Sequence, residues 1–273
     1  MKEFKGKISV IMPAHNEGHH IYENVRETQA VFDEAQCDYE IIVVNDGSGD
    51  DTGVKAKRAA QGFANVKVVD RDRNSGKGNA LRRGFYHATG DVVVLLDADL
   101  DLHPKQLHTL FNIMKIEEAD VVVGSKRHPD SKLDYPSRRK FVSKIYYFIL
   151  WTLFGLPLND TQTGLKLYKH EVLRKVMRRV LCKRYAFDVE LLANAHHLSY
   201  KIVEAPIVLT YRRTVKWGRI TLKDLWHTGL DTMAIWFRMY ILKTYDLENK
   251  EEIKKKAISQ TESKISNEVV EKV

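Results

Sequence analysis

The 273-residue chain holds only two cysteines, Cys37 and Cys182, and six prolines. Two cysteines so far apart, with no pairing pattern around them, do not build a disulfide framework; they fit a reduced chain in or facing the cytosol. No segment reaches the roughly 18–20 uncharged apolar residues of a membrane-spanning helix. The opening stretch, MKEFKGKISVIMPAHNE, has no apolar run long enough for a signal peptide and leads directly into a strand pattern. No internal repeat is present. Acidic residues are outnumbered, 36 against 44 Lys and Arg, for a net charge of +8. That balance favours anionic partners: nucleic acid, nucleotide sugars or an anionic membrane face. Nucleic acid finds no further support, because no aromatic platform or recognised motif accompanies the charge. With 44% hydrophobic residues the chain can form one large domain with a real core.

The first hundred residues alternate strand and helix patterns. KISVIMP (7–13), YEIIVVNDGS (39–48), NVKVVDR (65–71) and DVVVLLDADL (91–100) read as strands. Helical stretches at about 17–35, 51–61 and 76–88 separate them. Further along come a strand at 119–127, a helix at about 170–180, a strand at 200–213 and a helix at 222–242. Apolar strands separated by helices predict an α/β fold: a mostly parallel sheet covered on both faces. Such sheets bind ligands at the carboxyl ends of their strands. The informative polar residues stand there: Pro13-Ala14-His15-Asn16-Glu17, Asn45-Asp46-Gly47-Ser48, and LLDADLDLHP.

In LLDADLDLHP, Asp97, Asp99 and Asp101 occupy every second position, so an extended chain would set all three carboxylates on one side. Such a row repels itself unless a cation sits within it. Mg²⁺ and Mn²⁺ take one or two protein carboxylates and complete their shell with phosphate and water, so the row suits a metal gripping a diphosphate. Short acceptors at Pro13–Glu17 and Asp46 would hold a ribose and a base edge. Arg71, Arg73 and Lys77, with Gly76 and Gly78, form a basic loop able to approach a nucleotide closely. His15, His19, His20 and His103 read as surface or supporting residues rather than ligands.

Taken together, MPAHNE, NDGSGDDT, RNSGKGNAL and LLDADLDLHP resemble the inverting family-2 glycosyltransferases of the GT-A fold, over roughly residues 7 to 215. GSKR, the stretch from Arg139 to Ser143, NDTQTGLKLY and YAFDVELL are similar to the polyprenyl-phosphate branch, which includes the dolichyl-phosphate mannose synthases and glucosyltransferases. The resemblance implies roles at matching positions. Pro13, Ala14, Glu17 and Asp46 would line the nucleoside pocket beside Lys77, and Asp97 would close it. Asp99 would be the main metal ligand. Asp101, where relatives often carry Gln or Ser, would be a further one. Arg127 would sit near the donor phosphates or sugar. Arg139 and Ser143 would hold a lipid phosphate, and Arg212 or Arg213 with Lys216 would complete the clamp. The family's basic-Gly-Ser-Lys pattern is loosened here to RRTVKWGRITLKD, which leaves the choice of arginine open.

A lipid-phosphate acceptor requires membrane contact. The segment at about 138–158 is aromatic and apolar but interrupted by Lys144 and a Gly-Leu-Pro break, so it is expected to lie in the interface. Trp151, Tyr146 and Tyr147 are types that favour the headgroup zone, and Arg138, Arg139 and Lys140 precede them. Asp231 and Arg238 likewise keep 226–242 from spanning. The expected organisation is a GT-A domain over 1–215, an amphipathic membrane-associated segment over 216–247 and a charged tail over 248–273, peripheral or monotopic at the cytoplasmic face. The expected reaction is metal-assisted transfer of glucose or mannose, from UDP-glucose or GDP-mannose, to a polyprenyl or dolichyl phosphate, with a membrane-protein partner possible. If a general base exists, Asp188 or Glu190 in FDVE is the candidate. Two alternatives stand: a transferase acting on a saccharide or glycolipid hydroxyl, which needs that base, and a non-catalytic module that binds nucleotide sugar or membrane.

Overall fold

The computed structural model describes residues 1, 4–133, 137–183, 186–209 and 222–246, with side chains placed except at 133, 137–145 and 222–225. Strands β1 (Ile8–Ala14), β2 (Tyr39–Asp46) and β3 (Val66–Arg71) alternate with helices α1 (Ile21–Ala35), α2 (Thr52–Ala60) and α3 (Lys77–Phe85). Then follow β4 (Val92–Leu96), a 3₁₀ turn (Pro104–Gln106), α4 (Leu107–Ile116), β5 (Val121–Ser125), β6 (Lys132–Leu133) and α5 (Ser137–Phe154). The remainder is β7 (Leu165–Lys169), α6 (His170–Arg179), α7 (Phe187–His197), β8 (Ile202–Pro206), β9 (Val208–Leu209), α8 (Leu222–Trp236) and a π-helical turn at Phe237–Ile241.

Seven strands form one sheet in the order β3-β2-β1-β4-β7-β5-β8, and β6 pairs with β9 beside it. Every pairing in the large sheet is parallel except those of β7, which runs antiparallel to both β4 and β5. Strand alternation divides the core. Val10, Met12, Val94, Leu165 and Leu167 pack with α1, α2 and α4 on one face. Ile11, Val93, Leu95 and Tyr168 pack with α3, α6 and α7 on the other. Each large side chain buried this way contributes about 1.5–3 kcal/mol. In α1, Ile21, Val25, Thr28 and Phe32 form the buried stripe expected at helical spacing.

Two sequence expectations change. Strand β4 ends at Leu96, not Leu100, so the three aspartates do not lie along an extended strand. The chain turns at Ala98–Asp99, Leu100 takes φ 51°, and its N–H donates to the Asp97 carbonyl at 3.3 Å. This local bond satisfies the Leu100 N–H in place of a neighbouring strand, and Ala98, Leu100 and Leu102 remain buried as their alternation with the aspartates predicts. The second is α4, absent from the sequence reading; its buried Leu107, Leu110, Phe111 and Met114 nevertheless carry the i, i+3, i+4, i+7 signature of a helix.

Candidate active site

The carboxyl ends of β1, β2 and β4 open into a cavity of about 510 Å³, lined by Pro13, Ala14, His15, Asn16 and Glu17 from the first, Asp46 from the second, and Asp97, Ala98 and Asp99 from the third. Asn74, Gly76, Lys77 and Ala80, from the loop entering α3, close its side. Six residues singled out from sequence for the nucleotide pocket therefore meet here: Pro13, Ala14, Glu17, Asp46, Lys77 and Asp97. Asp99, expected to hold metal, joins them. His15, Asn74 and Ala80 line it as well; the last two lie within RNSGKGNAL, where no role was assigned to them.

Asp46 is buried and turned toward its own framework. Its carboxylate accepts the Ser75 hydroxyl at 2.9 Å and the Ser75 and Gly76 N–H groups at 3.0–3.2 Å. Arg71 adds an ion pair at 3.6 Å. Gly47, at φ 63°, is required here, because a Cβ would lie 2.3 Å from the Arg73 carbonyl carbon. Asp46 thus shapes the loop that delivers Lys77, and His15 Nδ1 donates to the Asp46 carbonyl at 3.0 Å to bind β1 to the same corner. Asn16, at φ 55°, accepts from Gly49 N–H at 2.9 Å and ties the β1 and β2 exits together.

Lys77 Nζ meets Asp97 Oδ1 at 2.6 Å, with about a third of each side chain still in contact with solvent (30% and 37%). Enclosure by the cavity walls disfavours both charges, but each is outweighed by the partner: Lys77 is held above the ordinary lysine value by Asp97, Asp188 and Asp99, and Asp97 below the ordinary carboxylate value by Lys77 and Lys166. The backbone of Asp97 is fixed as well, its N–H donating to the Gly164 carbonyl at 3.0 Å. Asp99 Oδ1 accepts the Asp101 N–H at 3.3 Å. Asp101 is not a wall of the cavity.

Among the described residues no group of three His, Cys, Asp or Glu side chains converges as a metal cage. The donor set present is two carboxylates, Asp97 and Asp99, at one cavity wall with a lysine beside them. That set fits Mg²⁺ or Mn²⁺ held by one or two carboxylates and completed by a ligand's phosphates, not a metal enclosed by protein alone.

The two candidate bases are both engaged. Asp188 accepts from Lys166 Nζ at 2.6 Å, and both side chains are almost fully buried, 8% and 1% exposed. Burial pushes Lys166 below the ordinary lysine value, with Asp188 opposing. Glu190, 0% exposed, accepts four hydrogen bonds, from Leu181 N–H, Cys182 N–H, Arg238 and Tyr245. Lys166 was missed in the sequence, although a lysine inside the apolar run GLKLY signals a buried ion pair.

Arg127 leaves β5 with its guanidinium 4.9 Å from the ring centroid of Tyr147, which joins the β5 exit to α5. That exit is set by NDTQTG: Asp160 accepts the Lys126 N–H at 3.2 Å, and Glu204 accepts the Asn159 and Asp160 N–H groups at 2.6 and 3.0 Å. Arg139 and Ser143 lie outside the residues with described side chains, and Arg212, Arg213 and Lys216 outside the described residues altogether.

Comparison with known proteins matches residues 9–177 to the family described as Glycosyl transferase family 2. The glycosyltransferase AglD of Haloferax volcanii is 28% identical over 238 residues, 86% of this chain but only 38% of that protein's length. Two dolichyl-phosphate beta-glucosyltransferases of Trichomonas vaginalis, ALG5D and ALG5C, are 30% and 29% identical, covering 84% and 82% of this chain and 71% and 68% of theirs. Among solved structures, glucosyl-3-phosphoglycerate synthase of Mycobacterium tuberculosis, in complex with Mn²⁺, UDP and glucosyl-3-phosphoglycerate, superposes with a TM-score of 0.63 at 23% identity, over 85% of this chain and 79% of that one. That likeness is one of fold, and the fold is GT-A-like.

Proposed function

Because the chain belongs to glycosyl transferase family 2, we propose that it transfers a hexose from a nucleoside-diphosphate sugar to a polyprenyl phosphate of the dolichyl type, inverting the anomeric centre. The observation that carries the acceptor class is the state of the two candidate bases: Asp188 is occupied by a buried lysine and Glu190 by four donors. A sugar hydroxyl needs a base to become a nucleophile. A phosphate monoester, with a second pKa of about 6, is already largely dianionic at neutral pH and does not. The names of the Trichomonas relatives point the same way and lean to glucose; mannose is the other hexose consistent with the motifs.

In this reading the nucleoside rests against Pro13, Ala14 and Glu17, on the loop that Asp46 shapes. Lys77 brings positive charge to the diphosphate while Asp97 orients it. Asp99, with Asp97, would hold Mg²⁺ or Mn²⁺, and the ion supplies neutralisation of the departing diphosphate. Arg127 stands between the β5 exit and α5, where donor and acceptor phosphates must approach. Direct backside attack inverts the sugar. Arg139, Ser143, Arg212 or Arg213, and Lys216 are proposed for the acceptor phosphate.

No helix among the described residues is long and apolar enough to cross a membrane. Helices α5 and α8 instead expose apolar and aromatic side chains: Phe148, Ile149 and Trp151 on one, Trp226, Leu230 and Met233 on the other, with Phe237 and Ile241 in the turn that follows. Such a patch suits the headgroup region of a bilayer, and the protein is proposed to sit peripherally on a cytoplasmic face.

The test offers purified protein short polyprenyl phosphate with Mn²⁺ or Mg²⁺ and labelled UDP-glucose or GDP-mannose, and counts label in the organic phase. Label from one donor, removed by EDTA and by Asp99→Ala, is the expected result. Donor binding without organic-phase label would move the reading to a hydroxyl acceptor. Full activity in Asp99→Ala would end the metal-assisted reading.

A further inference from the structure

Glu190 lies outside the cavity, yet it is fully buried and its four bonds divide cleanly by oxygen. Oε2 accepts the N–H groups of Leu181 at 2.8 Å and Cys182 at 2.7 Å. Oε1 accepts Tyr245 Oη–H at 2.5 Å and Arg238 Nη2 at 2.9 Å. One carboxylate therefore fastens the loop before α7 to the chain that follows α8.

Each side is attached further. One residue beyond Cys182, the Lys183 carbonyl accepts the Gly78 N–H at 3.1 Å. Gly78 is in the first turn of α3, directly after Lys77; the cap residue Gly76 has no side chain to cap the helix, and Asp46 holds its N–H from one side. Phe187, in the first turn of α7, packs so closely that a Cβ on Gly78 would lie 2.5 Å from its ring. On the far side, Arg179 Nε donates to the Tyr245 carbonyl at 3.3 Å, and His197 pairs with Asp246 at 2.6 Å. Arg238 also donates to Tyr245 Oη at 3.0 Å. The same stretch carries the outward Trp226, Leu230, Met233 and Phe237.

We infer that Glu190, Arg238 and Tyr245 form a latch through which the seating of α8 on the domain positions Lys77 in the donor cavity. The inference rests on the reading of that cavity as a nucleotide-sugar site. All three are positioning residues: none touches the cavity, and their influence passes through residues 181–183 to the start of α3. A loosened latch frees the Lys183 carbonyl, leaves the first turn of α3 held only from the Asp46 side, and relaxes the 2.6 Å contact between Lys77 and Asp97.

The test is calorimetric titration of the full chain with Mn²⁺ and UDP or GDP, whichever the wild type binds. Tyr245→Phe keeps the ring and removes the hydroxyl; Arg238→Gln is a second, independent way to open the latch. Each is expected to weaken nucleotide binding about five-fold, and Lys77→Ala about ten-fold or more. Combined with Lys77→Ala, Tyr245→Phe should add nothing, because both act through the same lysine. Ile235→Val, a core change on α8 that leaves the latch intact, should lower the melting temperature without altering affinity. Unchanged affinity in both latch variants, or losses that simply add to that of Lys77→Ala, would overturn the latch and leave the transferase reading standing. A wild type that binds neither nucleotide would remove the donor-site reading and the latch with it.

Discussion

A β-carbon on Gly164 would lie 2.1 Å from Asp97 Oδ2, far inside the contact distance of a non-bonded carbon and oxygen. Asp97 has little room to retreat, since its N–H is bound to the Gly164 carbonyl and its carboxylate to Lys77. Gly164→Ala is therefore expected to displace the Asp97 side chain and weaken Mn²⁺-nucleotide binding by about ten-fold or more, while the melting temperature falls by only a few degrees; equal affinity in calorimetry would show that Asp97 does not contact the ligand. The Lys166–Asp188 pair answers to a different rule. Removing one partner of a buried pair strands the other charge, so Asp188→Asn is expected to cost about 3–5 kcal/mol in urea unfolding. Replacing both, as Lys166→Met with Asp188→Leu, should recover much of that. A loss below about 1 kcal/mol in Asp188→Asn would mean that Lys166 is not charged in the fold.

Among the elements, the first turn of α7 joins several others. Phe187 packs on Gly78, Asp188 meets Lys166, and Glu190 holds the loop before it and the chain after α8. FDVE read as a possible base; its three contacts also make it a junction. Helices α5 and α8 divide their residues between two surroundings. Leu150, Phe154 and Ile235 are buried, Tyr146 bonds Thr232 at 3.1 Å, and Trp151 and Trp226 stand outward, 52% and 69% exposed. If that outer surface meets lipid, Trp151→Ser with Trp226→Ser should lower binding to anionic vesicles several-fold and leave nucleotide affinity unchanged, as read by vesicle sedimentation and calorimetry. Undiminished sedimentation would turn attention away from this face. Legibility also varied by element. Strands β1 and β2 were visible because buried parallel strands are continuous apolar runs; β3, at the sheet edge, showed as a short valine-rich run with exposed Lys67 and Asp70. The end of β4 was not visible: from Leu96 to Leu102 apolar residues and aspartates alternate as in a strand, and only the left-handed Leu100 and its bond back to the Asp97 carbonyl show that the chain has already turned.

At the scale of the whole molecule, several buried groups hold their protons late. Burial, then the hydrogen bond to Asp33, pushes Tyr39 up to about 12 from 10.0. Burial, then the neighbouring Glu190, pushes Cys182 up to about 12 from 9.0, and the same two causes raise Tyr245. In the unfolded chain these groups release protons earlier than in the fold, so the folded state binds more protons and stability falls as pH rises. Their contribution is complete below about pH 9 and is lost progressively toward about pH 12. Urea midpoints measured from pH 8 to pH 11 should decline, and Tyr245→Phe should flatten part of the decline. A flat profile would place these groups in solvent.

Sequence alone determined the α/β class, the family, and most of the residues that line the cavity at the strand ends. It could do so because a ligand at the edge of a parallel sheet is met by short segments contiguous in the chain: Pro13 to Glu17, Asp46, Lys77, Asp97 and Asp99. Tertiary structure alone decided what those segments lean on. That Asp46 shapes a loop, that Lys166 alternates onto the face where α7 brings Asp188, and that Glu190 binds Tyr245 all depend on residues distant in sequence. Nothing local encodes such pairs, because each carboxylate would be equally satisfied by water until packing removes the water and leaves one partner within reach.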